Sequence, residues 1–192
     1  MRKTLFDPEG NSLERKFFFQ WILATTVAWT LTSIALIYDI VSPVWLLPVI
    51  GLAQWYILEY YLPKVRWWIW TNILGVVISA AIIIALLIMG LNPNILAHPL
   101  LSGVLTGTFV GVLQWFYLRQ RVLKAWWWII ANIVGLVLGK IINLTLGTLL
   151  GPFLGAVFGG LVFGAVTGLF LIWLLQNPIS QRDETLILRG ES

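Results

Sequence analysis

Lys140 carries the most chemistry of any side chain here, because it stands inside an otherwise apolar run, Trp126–Leu149. At about 1.5 Å per residue it lies some 18 Å beyond Trp128. An ammonium group at that depth in lipid costs at least about 2.5 kcal/mol, so such a residue has a partner or a task. Asn143, one turn on, can hydrogen-bond it, and Asp39 is the acid on the same half of the chain's apolar layer. Two readings stay open: a structural Lys140–Asp39 pair or a lysine reaching outward to water, and a lysine serving a ligand or polar pathway. Four amides also fall within apolar runs: Gln54, Asn72, Gln114 and Asn132. Counted from the nearest charged residue, Gln54 and Asn72 are level, about 8–9 Å from the same membrane face. They are expected to hydrogen-bond each other across neighbouring helices, and Gln114 and Asn132 to repeat the bond. The alternative is a polar ring lining a substrate path or ligating a tetrapyrrole metal, although a third copy of the pattern offers only Thr25 and Leu171 in those places.

Other chemistries find little support. His98 is the sole histidine and there are no cysteines, so no metal site is expected. No nucleophile–base pair, phosphate-binding glycine loop or carboxylate pair at catalytic spacing is present, and the chain is not expected to be an enzyme. The residues specify no cofactor.

The elements that must position these residues are membrane helices. Hydrophobic residues make up 59% of the 192 and charged residues 10%, far below the quarter or so of a soluble domain. A helix needs about 20 apolar residues to cross the hydrocarbon, and six runs qualify: 17–38, 44–62, 67–89, 100–118, 126–149 and 153–176. Breakers separate them, among them Ser42-Pro43, Pro63, Asn92-Pro93, His98-Pro99 and Gly151-Pro152. No cleavable leader is expected, since the first run is too long and is preceded by mixed charges. The expected organisation is an N-terminal tail (1–16), a six-helix domain (17–176) and a C-terminal tail (177–192).

Basic residues orient the bundle. Arg2, Lys3, Arg15 and Lys16 precede the first run, Lys64 and Arg66 follow the second, Arg119, Arg121 and Lys124 follow the fourth, and Arg182 and Arg189 follow the sixth. Only Lys140 departs from this one-sided pattern. The positive-inside rule then places both termini in the cytoplasm, and the same placement explains the net charge of +4 without nucleic acid.

Residues 51–79 and 111–139 align without gaps. Gly51, Gln54, Trp55, Leu58, Lys64, Trp67, Trp68, Ile69, Asn72, Ile73, Gly75 and Val77 recur sixty positions later. Trp21-Ile22 and the ladder Gly160, Gly164, Gly168, matched to Gly103, Gly107, Gly111, suggest a third copy. The expected fold is therefore all-α, an integral membrane six-helix bundle. It is built of three parallel helical-hairpin repeats (17–62, 67–118, 126–176) around a pseudo-three-fold axis along the membrane normal. Mitochondrial carriers share that count and symmetry, but their repeated proline and charge signature is absent. The glycine ladders let backbones approach closely, within the bundle or against a partner. Of the twelve tryptophans, Trp21, Trp55, Trp67, Trp68, Trp115, Trp127 and Trp128 are expected near one interface. There they form an aromatic belt or, alternatively, the lining of a pocket for a flat apolar ligand.

The motifs Gln54-Trp55, Trp67-Trp68-Ile69, Gln114-Trp115 and Trp127-Trp128-Ile129 resemble a group of uncharacterised, Trp-rich multi-pass membrane proteins common in cyanobacteria and related bacteria. The resemblance covers residues 51–139 and implies no activity. Three functions are weighed, in this order. The first is a non-catalytic binding or scaffold subunit of a larger membrane complex, or one holding an apolar ligand, with lipid, other membrane subunits or a second copy as partners. The second is a transporter or its substrate-binding subunit, similar in size and topology to the membrane-embedded subunits of energy-coupling-factor transporters. The third is a pigment-binding subunit of photosynthetic type, with Asn, Gln or His98 as axial ligands; a plasma or thylakoid membrane would house any of the three.

Overall fold

The computed structural model describes residues 11–37, 43–62 and 65–178, without the side chains of 11, 12, 36, 37, 43–48 and 97. The described residues form seven α-helices: α1 (Asn11–Ile37), α2 (Pro43–Tyr61), α3 (Trp67–Ile88), α4 (Pro93–Ala97), α5 (Pro99–Leu118), α6 (Trp127–Leu150) and α7 (Pro152–Leu175). Five of them, α1, α3, α5, α6 and α7, are long and apolar enough to cross a membrane. The chain is a multi-pass integral membrane protein. Hydrocarbon offers no partner to a free peptide group, so each crossing segment must satisfy its own backbone, as a helix does.

Local signals set the ends. Pro43, Pro93, Pro99 and Pro152 each open a helix, where the missing N–H is no loss and the fixed φ is already helical. Gly151 alone joins α6 to α7, with φ +96°, a conformation that side-chain-bearing residues resist. Asn92 caps α4, its side chain accepting from Asn94 N at 2.8 Å, and His98 caps α5, its Nδ1 accepting from Leu100 N at 3.3 Å. The single histidine thus closes a helix end. Two features were not read from the sequence: the short α4, and the start of α1 at Asn11, ahead of the apolar run.

Each long helix packs against its neighbours in the chain, and α7 packs back on α1. The order α1–α2–α3–α5–α6–α7 therefore closes into a ring. Glycines set the approach at most contacts. A Cβ on Gly75 would meet the backbone of Val110, and Cβ atoms on Gly103, Gly107 and Gly111 would meet Val137, Ile133 and Ile129. Gly160 and Gly164 lie against the Cα atoms of Thr26 and Ile22. Outward faces carry residues such as Leu23, Leu31, Ile84, Leu138 and Leu169, all well exposed, as a lipid-facing surface requires.

The main core gathers the start of α1, the α2–α3 and α5–α6 connections and the end of α7. Lys16, Arg66, Arg119, Arg121 and Lys124 belong to these same segments, so this is the basic end of the ring.

Candidate functional site

Three tryptophans, one each from α1, α3 and α6, meet inside the basic end. Trp21, Trp68 and Trp128 are buried to within 1% of completeness. The Trp128 ring centroid lies 6.4 Å from that of Trp21 and 5.7 Å from that of Trp68. Leu58, Leu118 and Leu171, all fully buried, pack into the same cluster.

An indole N–H needs an acceptor when it leaves water, and each of the three has one. Trp68 Nε1 donates to Gln54 Oε1 at 3.1 Å, and Trp128 Nε1 to Gln114 Oε1 at 2.7 Å. Trp21 Nε1 donates to Thr167 Oγ1 at 3.1 Å, and that hydroxyl donates onward to Phe163 O at 2.7 Å.

These bonds correct three expectations. The amides do not pair with each other: Asn72 Nδ2 and Asn132 Nδ2 turn back to Trp68 O and Trp128 O on their own helices, at 3.1 and 2.9 Å. The indoles, not the asparagines, reach across to the glutamines, because a ring N–H on the inward face spans the gap. On α7 the acceptor is Thr167 and not the expected Leu171. Glycines at four-residue intervals leave the α7 alignment free to slip by one turn; in the structure Gly111 lies against Ile129 and Asn132, and Gly164 against Ile22 and Thr25. Finally, Trp21, Trp68 and Trp128 are core residues and not belt residues. Trp67 is 69% exposed and fits the belt, while Trp55, Trp115 and Trp127 are partly buried against the cluster.

The Thr167 bond can be tested directly. Thr167→Val keeps the shape but strands the Trp21 N–H, and should cost about 1–2 kcal/mol. Thr167→Ser should recover most of that in a melt followed by circular dichroism.

Higher in the ring Trp29, Leu136, Ala156 and Phe163 form a second buried cluster, with the Trp29 and Phe163 rings 5.3 Å apart. Trp29 Nε1 and the hydroxyls of Thr25, Thr26 and Thr30 have no hydrogen-bond partner among the described residues.

Around the outside of the basic end, cations lie on aromatic rings. Arg121 sits 3.7 Å from the Tyr117 centroid and Arg119 5.1 Å from that of Trp115, geometry suited to cation–π attraction. Trp127, Phe170, Trp173 and Lys124 line a groove of about 490 Å³ between α6 and α7.

At the opposite end lies Lys140. Its Nζ donates to Ser102 Oγ at 3.0 Å, a partner not foreseen from the sequence. Asn143 lines the same cavity, which has a volume of about 360 Å³. Asp39, the other expected neighbour, lies outside the described residues. Among the described residues no three His, Asp or Glu side chains are grouped as a metal site would need.

No protein family, curated protein or solved structure matches the chain.

Proposed function

We propose that the chain is a non-catalytic binding or scaffold subunit of the membrane, built as three parallel helical hairpins that cross it six times. The observation that carries this reading is the packed centre. Three buried indoles, hydrogen-bonded to Gln54, Gln114 and Thr167, occupy the place where a conduit would run. A transporter would have to break those contacts in every cycle. A pigment site on the glutamines is disfavoured too, because Gln54 Oε1 and Gln114 Oε1 are engaged by indole N–H groups.

Matching positions support the three-hairpin reading. Trp21, Trp68 and Trp128 correspond, as do Leu171, Leu58 and Leu118, and Thr167, Gln54 and Gln114. In this arrangement α2 is the sixth span, and the basic end with both termini faces the cytoplasm. Since the sequence contains no cysteine, single cysteines report topology cleanly. Cysteines at Ser192 and Met1 should react with an impermeant maleimide only after the membrane is opened, and one at Asn94 should react in intact cells. A C-terminal cysteine labelled in intact cells would refute the six-span arrangement.

The functional reading is tested by extraction into native-lipid nanodiscs, followed by mass spectrometry and an absorption spectrum. A colourless particle with a stoichiometric second subunit, a second copy or an apolar small molecule is expected. A lone chain that moves solutes across proteoliposomes would overturn it, and so would a coloured preparation with a bound tetrapyrrole.

A further inference from the structure

Toward the end of the ring away from the tryptophans, Lys140 lines a cavity shared by α5, α6 and α7. Helix α6 turns Ile133 and Val137 toward α5, and Gly139 and Asn143 toward α7. Lys140 falls in the sector between those two rows, which is the side facing the ring's interior. Ser102 fixes it from α5. The Ser102 hydroxyl donates to His98 O at 3.1 Å and accepts from Lys140 Nζ at 3.0 Å, so the serine has no second proton to offer. An ammonium has three N–H donors. Two of them remain without an acceptor among the described residues, beside a cavity of about 360 Å³ that Asn143, Thr148, Leu144 and Pro152 also line.

We propose that this cavity binds an organic carboxylate, with the oxyanion on Lys140 and a short apolar body against Leu144 and Pro152. Charge matching argues for a monoanion: one cation within the membrane layer neutralises one negative charge, and a second would stand unpaired at high cost. Asn143 supplies a further donor for the carboxylate's lone pairs, while the Thr148 hydroxyl already donates to Thr145 O at 2.8 Å. The volume is at the small end of ligand sites, which suits a short body or the head of a longer chain. The proposal rests on the reading of the chain as a binding module, and names the ligand class. It is independent of any protein partner, so its failure would leave a scaffold role standing.

The test uses the full chain in nanodiscs, with empty nanodiscs subtracted, and radiolabelled butyrate, laurate and dodecanol as probes. Saturable binding of a carboxylate at one per chain is expected, with dodecanol and dodecyltrimethylammonium failing to compete. Preference for butyrate identifies a water-borne ligand, and preference for laurate one that enters from the bilayer. Lys140→Met should weaken carboxylate binding by about tenfold or more, because charge-assisted hydrogen bonds are lost. Lys140→Arg should hold it within about threefold, since charge and donors remain. The wild-type competition carries the test even where a variant fails to fold. No saturable carboxylate binding, displacement by dodecanol, or an undiminished affinity in a folded Lys140→Met would overturn the proposal.

Discussion

Trp128→Ala is expected to destabilise the protein by about 3–5 kcal/mol, the usual result of emptying a buried aromatic site. Trp128 is the ring that touches both of the other indoles of the cluster, Trp21 and Trp68, so its removal opens a hole where three helices meet. It also strands Gln114. The Nε2 of that residue already has no partner among the described residues, and without Trp128 its Oε1 would have none either. Trp128→Phe should recover much of the packing but not the hydrogen bond, and fall between the two. The control is Trp67→Ala on the exposed neighbour, which should change stability by about 0.5 kcal/mol or less. Reversible unfolding in mixed micelles, followed by circular dichroism, measures all three. Equal losses at positions 67 and 128 would mean that the indole cluster does not hold the basic end together.

Gly107→Val is expected to part α5 from α6. A Cβ at Gly107 would stand 2.6 Å from Ile133 Cα and 2.8 Å from Ile133 N. Both are backbone atoms of a packed helix and cannot rotate away. Overpacking of this kind costs about 1–3 kcal/mol, and a branched side chain belongs at the upper end, despite the gain in helix propensity over glycine. Gly147→Ala is the matched comparison, because the nearest atom to its added Cβ is Pro152 Cα at 3.9 Å, an ordinary contact. It should be neutral or slightly stabilising. Melting temperatures of the two variants separate close approach from a general intolerance of side chains on these helices.

Much of the fold is legible in the sequence because lipid leaves a chain few choices. The runs 67–89 and 100–118 coincide with α3 and α5 to within a residue at each end, since Pro63, Gly90, Pro99 and the basic stretch around Arg121 mark their limits. The start of α1 was not legible, because Asn11–Lys16 are polar apart from Leu13 and helical propensity there gives no hydropathy signal. Side-chain destinations were harder. Base rates put repeated tryptophans at an interface, yet a signal for burial existed: Trp68 and Trp128 each follow a glutamine by fourteen residues. In two antiparallel helices joined by a short basic loop, that spacing brings ring and amide level. Level placement also suggested the Gln54–Asn72 pair, but distance along the axis cannot say which of two inward groups reaches across. Thr167 was hidden by the regularity of the glycines around it. Ser102, which holds Lys140, sits one turn after His98 and carried no mark beyond its helical phase.

The sealed centre is tested most directly by hydrogen–deuterium exchange at the indole nitrogens, read by ¹⁵N NMR with each signal assigned through a Trp→Phe variant. A packed, hydrogen-bonded triad predicts that Trp21, Trp68 and Trp128 exchange about a thousandfold or more slowly than the exposed Trp67, because their opening requires sub-global unfolding. Exchange of all three at the rate of Trp67 would mean that water reaches the axis, and would contradict the reading of this protein as a closed, non-conducting membrane subunit.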